Sequence, residues 1–201
     1  MNKLNDIIIT EKPDTVSWDE IHEVLWTAHA KNREKGMYMR YPSLSGEELK
    51  NLIGEKGKCF VAMCDGKVIG TNAYILKKNN RWYAKGQIVA HFCLASILPD
   101  YQGSTAYFSL IRYRQRYIDK LGIKIVDMDT AEDNKMVQKL LLKLGYKYVD
   151  YIASKSPHYS VVMARWQDGC PFSDKYCAFR FWIRKIKVRL RYKPGKIKRF
   201  I

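Results

Sequence analysis

The chain has 201 residues, enough for one domain with a sizeable core and too few for two domains of common size. Nearly half the residues are apolar and aromatic side chains are plentiful, with 14 Tyr and 5 Trp, which excludes a disordered or fibrous chain. The net charge of +16 is uneven: residues 178–201 hold ten Lys or Arg and no acid, leaving 26 basic against 20 acidic residues, or +6, for everything before them.

No apolar run approaches the roughly 20 residues needed to span a bilayer. The start, MNKLNDIIITEKPD, carries one four-residue apolar patch and reads as neither a signal peptide nor an anchor. Cys59, Cys64, Cys93, Cys170 and Cys177 are odd in number, with no C-x-x-C pairing and no metal-ligand spacing with the four histidines. A reduced, cytoplasmic protein without a metal is expected.

In chain order, IIIT predicts a short strand, followed by a turn at Pro13 and Asp14. Ser17 with Glu20 three places on has capping-box spacing, and Trp18, Ile21, Leu25 and Ala28 recur at helical intervals, which predicts a helix to about Asn32. An aromatic and cationic loop, MYMRYPSLS, precedes a second short helix capped by Ser45, with Glu48 at the same spacing. From Lys58 the pattern is that of strands: KCFVAMC, a turn at Asp65 and Gly66, KVIGTNAYIL, a second turn, then WYAKGQIVAHFCLASIL with Gly86 as a break or bulge. Pro99 ends the meander. A helix follows, carrying Leu110, Ile111, Ile118 and Leu121 as far as Gly122, then a strand IKIVDMD, a helix NKMVQKLLLKLG, and the strands YKYVDYI and YSVVMARW. The order predicts an α+β fold, a mixed and mostly antiparallel central sheet with helices on both faces. QDGCPFSDK separates a domain over residues 1–168 from a basic amphipathic tail over 169–201.

Between the third strand of the meander and the helix after it lies ASILPDYQGSTAYFSL, residues 95–110. A helix that begins at a strand end presents unpaired N–H groups and the positive end of its dipole, which suits a phosphate. Gly103 allows close backbone approach; Ser104 and Thr105 are hydroxyl donors or ordinary helix caps.

The element order, the segment ILPDYQG and the later segment NKMVQKLLLKLGY together resemble the GNAT acetyltransferase superfamily over roughly Asp14 to Trp166. Asn134, followed eleven residues later by GYKYV, is similar to the family pattern N-x-x-A-x-x-L-Y-x-K-x-G-F, with Val137 for Ala, Leu140 for Leu, and Gly145 and Tyr146 as the closing pair. The resemblance implies an acyl-CoA-dependent N-acyltransferase that uses acetyl-CoA or another acyl-CoA and a small-molecule amine acceptor. In the turn, the family pattern of Q or R then x-x-G-x-G or x-x-G-x-A puts Gln102 first, Thr105 at the middle glycine and Tyr107 at the last position. Co-substrate contacts implied in this way are Gln102, Gly103, Ser104, Thr105, Ala106 and Asn134. Ser96, Ile97 and Leu98 join them at the splayed end of the fourth strand, where a backbone amide meets the oxyanion. Leu141 stands where members commonly place a proton-donating Tyr.

Strand alternation puts His91, Cys93, Ala95 and Ile97 on one face. His91 is the candidate base, since imidazole ordinarily titrates near about 6.5; a core or surface histidine is the plain alternative. Asp129, near the carboxyl end of its strand, is a second candidate against simple solvation, and Asp133 or Asn134 can serve as a helix cap. Tyr38, Arg40 and Tyr41 are candidate contacts for an anionic or sugar-like acceptor, or aromatic pins for their loop.

In the tail, Phe179, Trp182, Ile183, Ile186 and Leu190 have helical spacing, while strict alternation over 186–193 also permits a strand. A basic amphipathic segment with Trp and Phe suits an anionic membrane surface at the inner face. Packing on the domain is the alternative, and nucleic-acid contact has weaker grounds because no RNA-binding motif accompanies the basic residues. Two functions compete. One is an N-acyltransferase, peripheral at the membrane, acting on a small amine such as an amino sugar in surface-glycan assembly. The other is a GNAT-fold binding module without catalysis that engages nucleic acid or a protein through its basic surface; Thr105, Tyr107 and Leu141 speak for it.

Overall fold

The computed structural model describes residues 7–36, 40–153 and 158–193. They form two compact units, each of which carries helices packed on antiparallel strands.

The first unit holds residues 7–35, 40–77 and 91–122. Its strands are β1 (Ile8–Glu11), β2 (Gly57–Cys64), β3 (Lys67–Lys78) up to residue 77 and β4 (Ile88–Ile97) from His91 onward, adjacent in that order, with β2 antiparallel to both β1 and β3. The type I′ turn between β2 and β3 rests on Asp65 and Gly66, at φ of 50° and 75°. Period-two alternation sorts the side chains of β2. Cys59 and Val61 join Ile21 and Leu25 of α1 (Trp18–Ala28) and Leu49 and Ile53 of α3 (Gly46–Ile53) in one buried cluster. Phe60 points the other way, its ring 5.6 Å from Tyr113 and 5.4 Å from Tyr117 of α4 (Ala106–Lys120). Helices therefore cover both faces of these strands, as expected. Ser17 and Ser45 each close a capping box, with Glu20 and Glu48 respectively.

One expected element is divided. The helix read as continuous to Asn32 breaks at His29, whose φ of −104° and ψ of 12° end α1 and start a short α2 (Ala30–Glu34). Gly57 is required for a different reason: a Cβ there would lie 2.3 Å from the Tyr74 carbonyl oxygen across the β2–β3 ladder. That oxygen belongs to backbone and cannot swing aside. Gly57→Ala should destabilise the chain by about 1–3 kcal/mol, the usual cost of overpacking, seen as a lower denaturant midpoint at unchanged m-value.

The second unit holds residues 36, 78–90, 123–153 and 158–193. β5 (Ile125–Ala131), β7 (Tyr159–Trp166) and β6 (Lys147–Ala153) lie side by side in that order, each pair antiparallel, with α5 (Lys135–Lys143) between β5 and β6 in the chain. The long strand expected from Trp82 starts later. Trp82–Ala84 is a 3-10 turn, Gly86 has φ +79°, and β4 begins at Ile88, so Gly86 is the break. Tyr83, Val89, Ile125, Val149, Val162 and Ala164 form the core. Asp127 is buried there, accepting from the Tyr83 hydroxyl at 2.6 Å and from Asn79 Nδ2 at 3.1 Å.

The basic segment forms α6 (Asp174–Arg191), so the alternation over 186–193 does not make a strand. The helix lies on β6 through Cys177, Phe181 and Val188, and the Phe181 ring sits 5.0 Å from that of Tyr148. Ion pairs hold it: Arg184 Nε to Asp150 at 3.0 Å, Lys185 Nζ to Glu132 at 2.6 Å, and Arg189 to Glu132 at 2.9 Å. Burial raises the Glu132 carboxyl, but hydrogen bonds from Lys185, Tyr151 and Arg189 outweigh it and pull the group down to about 2. A depressed carboxylate stabilises the native state above its ordinary value near 4.5, and that contribution disappears as the pH falls through about 2. The difference in Tm between the native chain and Glu132→Gln should therefore be constant above about pH 5 and shrink towards pH 2, which a pH series of thermal melts checks.

Candidate active site

The fourth strand departs from regular alternation at Leu94, which has φ of 54° inside β4 and is buried. A leucine in the left-handed region is strained, and such residues persist only where the surroundings hold them. Cys93 and Leu94 both point into the cluster shared with α1 and α3, which is the signature of a bulge with one extra residue. Alternation is inverted beyond it. Phe92, ahead of the bulge, meets the buried Arg114 of α4, whose guanidinium lies 3.3 Å from its ring centroid and which also donates to the Asn72 side chain. Ile97 is on that same α4 side: a Cβ placed on Gly70 would meet both Ile97 Cδ1, at 2.2 Å, and Leu110 Cδ1, at 3.3 Å. The common face expected for His91, Cys93, Ala95 and Ile97 thus ends at Cys93, and Ser96 takes the place expected of Ile97.

The inversion gives Ser96 a partner. Its buried Oγ lies 2.9 Å from His29 Nε2, at the break between α1 and α2. On the other side of the ring, Asn32 Nδ2 is 3.2 Å from Nδ1. With the amide nitrogen facing Nδ1, that atom accepts, so Nε2 carries the proton and donates it to Ser96 Oγ. The serine hydrogen is then directed to another acceptor. Burial first, and the Arg33 charge second, lower the His29 pKa below its ordinary 6.5, which keeps the imidazole neutral.

His91 has a hydroxyl partner as well: Tyr41 Oη lies 3.4 Å from its Nε2. The structure therefore brings together one candidate base and one candidate acceptor contact. Tyr41 also packs against the α1–α3 cluster, and His22 Nε2 is 3.2 Å from the Pro42 carbonyl oxygen, which fastens the loop that follows. Arg40 is exposed, its guanidinium 5.8 Å from the Tyr41 ring centroid; Tyr38 lies outside the described residues.

After β4 the chain makes a 3-10 turn over Pro99–Tyr101. Gln102 N donates to the Pro99 carbonyl at 3.1 Å and Ser104 N to the Tyr101 carbonyl at 3.2 Å, with Gly103 between them at φ +85°. Gln102 Nε2 turns back to the Ile97 carbonyl at 3.3 Å. α4 starts at Ala106 with no side-chain cap from Thr105, and Ala106 N meets Ser104 Oγ at 3.3 Å. First-turn amides of a helix have no partner within it, and Thr105, at a glycine position of the family pattern, is exposed. A Cβ on Gly103 would meet nothing within 4 Å, so the turn is open on that side. These features fit the phosphates of a nucleotide co-substrate. Several expected backbone contacts are engaged elsewhere: the Leu98 amide donates to the Ile69 carbonyl at 2.9 Å, and those of Gln102, Ser104 and Ala106 are used within the turn.

The remaining candidates lie in the second unit. Asp129 is exposed in the interior of β5, opposite Val162, with Thr130 and Ala131 continuing the strand. Asn134 caps α5, its side chain accepting from Val137 N at 3.3 Å. Leu141 is buried in the same helix.

Sequence reasoning missed His29 and the side chain of Ser96. A serine among the apolar residues that follow His91 in β4 was the available signal, since a buried hydroxyl needs a partner.

A family model described as the acetyltransferase (GNAT) family matches residues 18–146. Among solved structures, the chain is similar to the ribosomal-protein-S18-alanine N-acetyltransferase from Escherichia coli, with a TM-score of 0.61 at 15% identity, covering 84% of this chain and 96% of that one. It is similar also to the PaiA N-acetyltransferase from Thermoplasma acidophilum in complex with coenzyme A, with a TM-score of 0.60 at 17% identity, covering 81% and 99%. Aminoglycoside 6'-acetyltransferase type Ii gives a TM-score of 0.60 at 16% identity, covering 79% and 96%. No curated protein matches the chain.

Proposed function

Because the chain belongs to the acetyltransferase (GNAT) family, we propose that it moves the acetyl group of acetyl-CoA onto the nitrogen of a small amine held against the β4 face that carries His91 and Ser96. The observation that supports this reading is the convergence of two histidine–hydroxyl pairs, His29 with Ser96 and His91 with Tyr41, on one face of a bulged strand. Acetyl-CoA supplies an activated acyl carbon. The amides of Gly103 and Thr105, with those of the first turn of α4 after Ala106, receive its phosphates, while the Gln102 and Ser104 amides hold the turn in shape through the Pro99 and Tyr101 carbonyls.

The acceptor must reach the acyl carbon as a neutral amine. In this reading His91 removes the proton from the bound ammonium, directly or through a water. As the nitrogen lone pair forms its bond to the acyl carbon, an amide at Ser96 or Ile97 meets the negative charge that develops on oxygen. As the C–S bond breaks, the Ser96 hydroxyl, held on its oxygen by His29, passes its proton to the departing sulfur and takes up the second proton that the nitrogen loses in becoming an amide. It takes the donor role for which Leu141 has no proton. Asp129 and Asn134 are kept as residues outside this set, the first exposed on β5 and the second a cap.

Arg40 and Tyr41 border the acceptor side and suit an amine that also bears hydroxyl or anionic groups, so an amino sugar is the acceptor class proposed. One structural neighbour is by name an aminoglycoside acetyltransferase. The test is release of free CoA thiol from acetyl-CoA with a panel of amino sugars, polyamines and short peptides. Turnover with amino sugars is expected; turnover with peptides alone would replace this acceptor class.

A further inference from the structure

Helix α6 is amphipathic twice over. At 100° per residue, the side that packs on β6 is defined by Cys177, Phe181 and Val188. On the opposite side, Phe179, Trp182, Ile186 and Leu190 follow one another at spacings of three, four and four residues. They are 56%, 58%, 37% and 81% exposed, so they form a continuous apolar stripe in water rather than scattered surface residues. Of the five apolar residues expected to share a face, these four are exposed and Ile183 is half-buried, and the stripe is not the side that holds the helix in place.

The charges are divided in the same way. α6 contains seven Lys or Arg and a single acid, Asp174. Arg184, Lys185 and Arg189 are committed to Asp150 and Glu132, and Arg180 lies over the Trp82 ring at 5.1 Å. Lys175, Lys187 and Arg191 are exposed around the stripe, and Lys193 is exposed just beyond the helix.

We propose that this outward face of α6 docks on an anionic lipid bilayer, lying in the interface with Phe179, Trp182, Ile186 and Leu190 among the acyl chains and the flanking cations at the headgroups. Charge complementarity selects the occupant. A second copy of the chain would set the same cations against one another, and a nucleic acid would leave Ile186 and Leu190 against phosphates and sugars. A lipid surface satisfies both halves, apolar burial and anion contact. No helix among the described residues is long and apolar enough to cross a membrane, so the attachment is in-plane. Since the packed face is already held by its own contacts, the docking side needs no rearrangement to become available. The proposal is independent of the acyl-transfer reading.

Vesicles of phosphatidylcholine with and without phosphatidylglycerol test it by flotation. The full chain should float with the phosphatidylglycerol vesicles, with a blue shift of Trp emission, and should remain in solution with phosphatidylcholine alone. Trp182→Ser with Leu190→Ser should lower the vesicle partition coefficient at least tenfold, while Tm and acetyl-CoA binding stay at native values. Lys187→Gln with Arg191→Gln should weaken partition and flatten its dependence on salt. Equal flotation of native chain and stripe variant overturns the proposal, as does no flotation on either vesicle. Retention of an RNA in preference to vesicles, or self-association through the same residues, overturns it too.

Discussion

His29→Ala should lower kcat/KM for acetyl transfer about a hundredfold, the lower range for loss of a positioned acid–base group, while the affinity for acetyl-CoA changes little. The imidazole holds Ser96 Oγ at 2.9 Å, and without it the hydroxyl is free to rotate away from the sulfur. Ser96→Ala should cost a similar factor, and the double variant no more than either alone, because the two side chains act as one unit. A purely structural histidine would instead leave kcat unchanged and lower Tm. The Arg33 charge provides a second readout. Burial and Arg33 keep His29 neutral below the ordinary imidazole value of 6.5. Arg33→Gln should therefore move the acidic limb of the activity profile to higher pH. Stability follows the same sign: as the pH falls below 6.5 the unfolded chain takes up the proton first, so the native state loses stability.

Gly103→Val should weaken acetyl-CoA binding about tenfold. The residue sits at φ +85°, where a side chain costs about 1–2 kcal/mol, and 1.4 kcal/mol is a factor of ten in Kd. The open space beside the glycine matters for interpretation: a Cβ there has nothing within 4 Å, so the penalty is conformational and not a clash. The turn relaxes by rotating the peptide, which moves the N–H groups of Gly103 and Ser104. The global fold should be preserved, because the turn is exposed and lies outside the buried clusters. A circular dichroism spectrum and Tm near native, together with a raised Kd, separate this result from unfolding.

Much of the architecture was legible because it depends on local pattern. Ser17 with Glu20 and Ser45 with Glu48 announce helix starts, and Asp65–Gly66 announces a hairpin; both signals act within four residues. The site was less legible because its geometry depends on a single dihedral. Nothing about the residue type of Leu94 marks it for φ of 54°, yet that angle decides whether Ser96 or Ile97 faces α1. The break at His29 was hidden because the apolar spacing ends one residue before it, at Ala28, and the residues that follow, Ala30 to Glu34, are compatible with a continuing helix. In α6 the helical spacing was readable, but which side packs depends on partners far from it in the chain: β6 beneath Cys177, Phe181 and Val188, and the acids Glu132 and Asp150 that ion-pair with Arg184, Lys185 and Arg189. Helical periodicity identifies a face and is silent on its partner.

The most direct measurement is calorimetric titration of the intact chain with acetyl-CoA. Saturable binding of one equivalent in the micromolar range is expected, with free CoA competing and Gly103→Val weakening it about tenfold. Absence of any heat up to millimolar acetyl-CoA would contradict acetyl transfer by this chain and leave the Pro99–Ala106 turn as a plain change of direction.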